Sequence, residues 1–234
     1  MNNKYFGNIN DFYKYSLLRT FCDAGNSTLG VCWMLTPDDG ESNPDRFDYL
    51  DRREMRANDP YVFDRMDDLA ASGENGSIEL VREWSLLPNA LTFDRRLPIP
   101  QLERRGYFSQ SRKHLAECSI VFFDPDIGIE NPSLGVGSSR AIQYLFWAEA
   151  AAAFEQGHSL ILYQQYPRVE RGQYDVRRVT EAARRLRGDF CITTFSTSRV
   201  LFLCAVQRRH EHLVQRTRRI VEAGWFGMTA TQWP

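Results

Sequence analysis

The chain has 234 residues, of which 43% are hydrophobic and 25% charged, and its 29 Lys+Arg nearly balance its 30 Asp+Glu. This length can bury a substantial core. The net charge of −1 excludes a uniformly basic nucleic-acid coat and an acidic disordered tail. The longest apolar run, near Ala150, contains Glu149 and Glu155, and the first residues lack the apolar core of a signal peptide. We therefore expect a cytoplasmic protein without a membrane span.

The charge is unevenly distributed. Residues 36–68 contain 11 acidic residues and 5 arginines, whereas residues 165–234 contain 13 arginines and 6 acidic residues. The basic part could face an anionic partner, although solvated helices alone would explain the same charges. Five cysteines stand singly and the four histidines lack zinc-ligand spacing, so we expect reduced core thiols and no metal site built from them.

Apolar runs alternate with amphipathic stretches along the chain, which is typical of α/β proteins. The first half contains the following predicted elements, in chain order: a helix at 12–23 capped by Asn10 or Asp11, a buried strand at 29–35, a polar loop at 36–44, helices at 60–71 and 77–84, a strand at 90–94 and a helix at 101–117. The second half contains strands at 119–124 and 159–163, helices at 138–156 and 174–186, strands at 190–195 and 200–207, and a basic helix at 211–223.

This order predicts one α/β domain over residues 1–234, with an acidic helical insert at about 36–88. The expected architecture is a doubly wound, mostly parallel, Rossmann-like sheet closed by a C-terminal antiparallel hairpin. Ligands of such sheets bind beyond the carboxyl ends of the strands. The loops at 36–44, 124–131 and 164–172 are therefore the candidate ligand loops.

The strongest chemical signal follows the strand at 119–124. Asp124, Asp126 and Glu130 are candidate catalytic residues, because we expect their carboxylates to project into one cleft. Pro125 restrains the backbone and Gly128 permits a positive φ and a close ligand. The structural alternative is a helix cap or an Asx turn at the end of a strand.

Three further segments are candidate binding sites. The aromatic segment 5–15 contains Asn10 and Lys14, which could bind an anion or a base, although a hydrophobic staple for the first helix would use the same residues. The acidic loop residues Asp38, Asp39, Gly40 and Glu41 could hold ribose hydroxyls, an amino group or a divalent cation.

The third segment follows the strand at 159–163 and carries candidate substrate contacts. They are the amide of Gln164, the ring of Tyr166 and the guanidinium groups of Arg168 and Arg171. A surface turn is the alternative for this segment.

Two of these motifs resemble those of class I S-adenosylmethionine-dependent methyltransferases, and more narrowly of the large-subunit ribosomal RNA adenine-N6 methyltransferases. They are Gly7-Asn-Ile-Asn-Asp11 with Lys14, and Asp124-Pro-Asp126, and the resemblance extends loosely from Tyr5 to Gln207. The amino-methylating motif of that family is acid-Pro-Pro-aromatic. In this chain Asp126 replaces the second proline and Ile127 replaces the aromatic residue.

The resemblance implies a sheet in which an early strand leads to a cofactor loop and a central strand ends in an acid-Pro catalytic loop. It also implies that S-adenosylmethionine is bound by residues 38–41 with Asn10 and Lys14, and that Asp124 orients an acceptor amine. Arg168 and Arg171 would then contact phosphates of a nucleic-acid or nucleotide substrate. An accessory role in a mobile genetic element is a further expectation.

Two alternatives remain open at this point. In the first, Asp124, Asp126, Glu130 and Asp38 or Asp39 bind Mg²⁺ and the protein is a phosphoesterase or nuclease. In the second, the chain is a non-catalytic module that binds nucleic acid or protein on a degenerate methyltransferase fold. The sequence does not indicate an oligomeric state.

Overall fold

A seven-stranded mixed sheet forms the centre of the computed structural model, which describes residues 2–22, 28–37, 44–98, 101–131, 134 and 138–234. The strands are β1 (Leu29–Cys32), β2 (Leu91–Phe93), β3 (Ile120–Phe123), β4 (Gly128–Ile129), β5 (Tyr144–Leu145), β6 (Ser159–Gln165), β7 (Phe190–Ser196), β8 (Val200–Gln207) and β9 (Thr229–Trp233). The α-helices are α1 (Ile9–Cys22), α2 (Pro60–Ser72), α3 (Glu79–Glu83), α4 (Gln101–His114), α5 (Trp147–Glu155), α6 (Arg171–Arg185) and α7 (Glu211–Glu222). Short 3-10 helices cover Asn3–Tyr5, Pro44–Asp51, Arg53–Ala57, Ser139–Gln143 and Arg208–His210.

The strand order in the sheet is β2-β1-β3-β6-β8-β7-β9. The first four of these strands are parallel, β8 is antiparallel to both β6 and β7, and β9 is antiparallel to β7. The short strands β4 and β5 form a separate parallel pair. The predicted α/β class, with a mostly parallel sheet and a C-terminal antiparallel hairpin, is therefore confirmed.

Two apolar layers cover the two faces of the sheet. Helices α1, α2 and α7 pack on one face, where Trp33 and Phe122 are buried, and α4, α5 and α6 pack on the other, with Phe123. Because both faces are covered, all residues of β1 and β3 are buried, which explains their uninterrupted apolar sequences. The acidic segment also contributes to the core, since Val62 and Phe63 of α2 are fully buried.

The predicted long helix at 138–156 is interrupted. Tyr144 and Leu145 extend into β5 and pair with β4, so that a 3-10 helix precedes this strand and α5 follows it. The new helix start is stabilised by Glu149, whose carboxylate accepts a hydrogen bond from the Phe146 amide at 2.9 Å. Pairing with a distant segment thus overrides local helix propensity here.

Two helix starts and one strand also differ from the prediction. Asn8, rather than Asn10 or Asp11, caps α1, because its side-chain oxygen accepts the amides of residues 10 and 11 at 2.8 and 3.0 Å. Glu170 caps α6 and starts it at Arg171 instead of residue 174. Strand β9 was not predicted, because Thr-Ala-Thr-Gln-Trp has no apolar alternation.

Within the described ranges, no helix combines the length and the apolar character needed to cross a membrane.

Candidate functional site

The connection pattern of the sheet places its topological switch point between β1 and β3. From β1 the chain continues to β2 on one side, whereas the strand on its other side is β3, so the strand order reverses between β1 and β3. Ligands of doubly wound sheets bind at such switch points, beyond the carboxyl ends of the strands. Thr36, after β1, spans this point by donating a hydrogen bond to the carboxylate of Asp126, after β3, at 2.7 Å.

A buried charge cluster, consisting of Asp11, Lys14 and Asp124, lies at this switch point. The ammonium of Lys14 is 2.7 Å from a carboxylate oxygen of Asp11 and 2.8 Å from one of Asp124. Lys14 and Asp124 are each only 2% exposed, although 110 positions separate them in the chain. The structure therefore brings together residues from the N-terminal motif and from the Asp124 loop.

Helix α1 presents two members of the cluster from one face. Asp11 and Lys14 are three positions apart, which makes them neighbours on a helix surface. The other oxygen of Asp11 accepts the amide of Gly7 at 3.0 Å. Gly7 has a φ of +88°, and a Cβ there would lie 2.8 Å from the ring of Phe47, so the turn before α1 requires glycine.

Three aromatic rings surround the ammonium of Lys14. Its Nζ lies 5.1 Å from the ring centroid of Tyr15, 5.6 Å from that of Trp33 and 6.0 Å from that of Tyr163. At these distances the rings stabilise a cation. The hydroxyl of Tyr15, which is fully buried, has no hydrogen-bond partner among the described residues. A buried polar atom of this kind suits a site that receives a ligand or an ordered water.

The charges of the cluster shift one another's pKa values. Burial by itself would lower the pKa of Lys14, but the carboxylates of Asp11 and Asp124 outweigh it and leave the pKa raised. Burial raises the pKa of Asp124 against the opposing effect of Lys14. Burial, followed by the same carboxylates, raises the pKa values of Tyr15 and Tyr163 well above the ordinary value. Lys14 is therefore charged and both phenols are neutral at neutral pH.

The three candidate catalytic carboxylates do not converge. Asp124 contacts Lys14, and Asp126 is bound by Thr36. Glu130 instead accepts the backbone amide of Trp147 at 2.8 Å, at the start of α5. Its role in the fold is that of a helix cap, the structural alternative for this segment.

Among the candidate substrate residues, Gln164 is buried and has a structural role, whereas Arg168 and Arg171 lie at the surface. Gln164 is 2% exposed; it accepts the Ile129 amide at 2.9 Å and donates to the carbonyl of Gln165 at 2.7 Å. Its side chain fills the space of a Cβ at Gly128, only 2.5 Å away, where φ is +145°. Gln164 therefore holds the loop after β3, and Gly128 is required for this close approach.

Beyond Gln164, the loop after β6 reaches the surface. Tyr166 is half-buried, and its hydroxyl donates a hydrogen bond to the carboxylate of Asp175 at 2.7 Å. The pKa of Tyr166 is raised mainly by burial and secondly by this hydrogen bond. Arg168 and Arg171 are exposed, and the guanidinium of Arg171 lies 3.5 Å from the carbonyl of Thr197. Asn10 is half-buried in the first turn of α1, beside the hydroxyl of Tyr163. The candidate cofactor residues Asp38, Asp39, Gly40 and Glu41 lie outside the described residues.

Sequence reasoning missed a cavity of about 220 Å³ beside the edge strand β2. Trp33 and Asp94, which directly follow β1 and β2, line this cavity together with aliphatic and polar residues of and around α3, among them Val81 and Arg82. Trp33 links the cavity to the charge cluster, because the same indole ring lies near Lys14. An acidic residue after a short apolar segment, as at Asp94, was the available signal.

The described residues include no group of three His, Cys, Asp or Glu side chains that could hold a metal ion. A comparison of the sequence with models of known protein families found no match, and neither did a comparison with curated proteins.

Proposed function

We propose that this protein is an S-adenosylmethionine-dependent methyltransferase that acts on an amine of a nucleotide or nucleic acid. The observation that carries the proposal is the 2.8 Å contact between Lys14 and Asp124 at the strand switch point. These residues belong to the two motifs on which the family resemblance rests. The reversed strand β8 beside β6 agrees with the hairpin that the family uses to close its sheet.

The residues around the cavity beside β2 fit such a cofactor. The cavity beside β2 offers the indole of Trp33 for an apolar or aromatic group and the carboxylate of Asp94 for hydroxyl groups. Its volume of about 220 Å³ is below the roughly 300–1,000 Å³ of sites that enclose drug-sized ligands, so it would hold part of the cofactor. When bound, the cofactor supplies an electrophilic methyl group on a sulfonium centre.

Asp124 has the central role in the proposed mechanism. Its carboxylate accepts N–H groups, and an acceptor amine would replace the Lys14 ammonium at the same oxygen, exchanging one N–H donor for another. The raised pKa of Asp124 favours its taking up the proton that the amine loses. The site mainly supplies proximity and a preorganised electrostatic environment. Arg168 and Arg171, which are exposed beyond β6, would contact phosphates.

A non-catalytic binding module is the second candidate function. The observation that favours it is the burial of Asp124, which is 2% exposed and already bound to Lys14, and so is not open to a substrate in this conformation. The Mg²⁺-dependent alternative gains no support, because the described part of the chain brings Asp124, Asp126 and Glu130 to different partners.

Thermal unfolding with and without ligand tests the proposal. We expect S-adenosylmethionine to stabilise the protein and Mg²⁺ to leave it unchanged; at a hundredfold excess over Kd the stabilisation is about 2.7 kcal/mol. Asp124→Asn should then retain the cofactor-induced shift but lose methyl transfer to an RNA or nucleotide acceptor by at least about a hundredfold. Asp68→Asn, an exposed acidic residue on α2, is the matched control.

The outcomes separate the candidates. Full methyl transfer by Asp124→Asn contradicts the role assigned to this residue. No shift with S-adenosylmethionine, together with salt-sensitive binding of nucleic acid, would support the binding module.

A further inference from the structure

The two edges of the seven-stranded sheet differ in how they are protected. At one edge, β2 has only three residues and is followed by exposed charged residues, from Asp94 to Arg96. Short length and flanking charge are common ways to prevent an edge strand from pairing with another chain. At the other edge, β9 has five residues, Thr-Ala-Thr-Gln-Trp, with no charge and no proline. Strand β9 is therefore longer than β2 and lacks its flanking charges, and Pro234 directly follows it.

Strand β9 is also held firmly in place. It pairs with β7 over all five residues, from Thr229 opposite Ser196 to Trp233 opposite Ile192. The indole N–H of Trp233 donates to the hydroxyl of Thr194 at 2.9 Å, and Gln232 accepts from Thr193 at 3.0 Å. Because the strand is already ordered, pairing with it costs little conformational entropy.

We propose that β9 pairs antiparallel with β9 of a second copy of the chain, centred on Thr231, to form a two-fold dimer with a continuous sheet. Two identical strands in an antiparallel pair satisfy each other's free backbone N–H and C=O groups. Such a contact has two-fold symmetry and therefore ends at a dimer. The absence of charge in β9 removes like-charge repulsion across the axis.

Two five-residue strands bury less than the roughly 1,200–2,000 Å² of a standard stable interface. The dimer is therefore weak, and its population depends on protein concentration.

Sedimentation velocity at concentrations up to the high micromolar range tests this proposal. The wild-type mass should rise from 27.2 kDa toward twice that value as the concentration increases. Thr231 is exposed, so both Thr231→Lys and Thr231→Glu should fold, as checked by thermal unfolding. Each variant alone should remain monomeric, because like charges would lie directly opposite each other across the axis.

An equimolar mixture of Thr231→Lys and Thr231→Glu should restore the dimer, because opposite charges then face each other. Ala71→Lys, at an exposed position on α2, is the control and should dimerise like the wild type. A wild-type chain that stays monomeric overturns the proposal, as do single variants that dimerise normally. A mixture that remains monomeric excludes the pairing centred on Thr231.

Discussion

Lys14 and Arg104 are both buried cations, 2% and 4% exposed, but their surroundings differ. Nε and Nη2 of Arg104 donate hydrogen bonds to the carboxylate of Glu149, at 2.5 and 2.8 Å. Nη1 and Nη2 also donate to backbone carbonyls. Both cations lie near aromatic rings, and the guanidinium of Arg104 is 5.1 Å from the ring centroid of Phe108 and 4.8 Å from that of Phe146. Lys14 differs in that it lies between two carboxylates.

This difference separates a structural clamp from a candidate site. One positive charge faces one negative charge at Arg104, and the planar guanidinium fixes the geometry of the pair. At Lys14, one ammonium faces two carboxylates, and a fully buried phenol without a hydrogen-bond partner among the described residues lies next to it. Burial also raises the pKa of Glu149, so it is the position at the strand switch point that makes the Lys14 cluster the candidate functional site.

The largest effect is expected for Lys14→Met, which removes the ammonium from between Asp11 and Asp124. Two buried carboxylates would then repel each other, and we expect a loss of about 3–5 kcal/mol in the free energy of urea unfolding at pH 7. Burial raises the pKa of Asp124, and without the opposing effect of Lys14 this pKa would lie further above that of the unfolded chain, so the folded state would bind an extra proton. The loss should therefore shrink as the pH falls from 7 toward 5.

Lys14→Met combined with Asp124→Asn is the control for this interpretation. The double variant removes one of the two carboxylates and should recover much of the lost stability. Equal destabilisation of the single and double variants would show that packing of the lysine side chain, rather than charge, stabilises the cluster.

Arg104→Met should have a smaller effect, of about 3 kcal/mol, in the same measurement. The side chain of Glu149 is 16% exposed, so water can partly replace the guanidinium, which it cannot do at Asp124 with 3% exposure. Methyl transfer by this variant should fall only in proportion to the folded fraction. A selective loss of activity with unchanged stability would contradict its assignment as a clamp.

The sequence predicted the strands that are buried on both faces and the loops at their ends, because these depend on local patterns. The apolar runs of β1, β3 and β6 and the Asp124 loop were found in this way. Pairing between distant segments could not be predicted locally. It splits the helix at 138–156, and it gives β9 a place in the sheet that its mixed sequence does not indicate.

The candidate site was predicted only in part, for a related reason. Asp124 and Lys14 were both selected as candidates, but their contact depends on how α1 packs across the sheet. Gln164 and Glu130 were selected because polar side chains in these loops usually face a ligand. The structure uses them to hold the backbone of the Asp124 loop and the start of α5. Donor and acceptor chemistry alone does not distinguish these uses.

The smallest effect is expected for His210, where the fold disfavours a positive charge. Its Nδ1 lies 2.9 Å from the hydroxyl of Ser159, which already accepts the amide of Gln207 and can therefore donate to the neutral ring. Burial, followed by the charge of Arg209, lowers the pKa of His210 below its ordinary value.

A lowered pKa means that the unfolded chain binds the proton more readily than the folded protein does. The contribution of His210 to stability is therefore present above about pH 6.5 and decreases as the pH falls below this value. Thermal unfolding of His210→Asn should show a shallower loss of stability than the wild type between pH 7 and 5. Identical pH profiles for His210→Asn and the wild type would show that the structure around the start of β6 tolerates the charge.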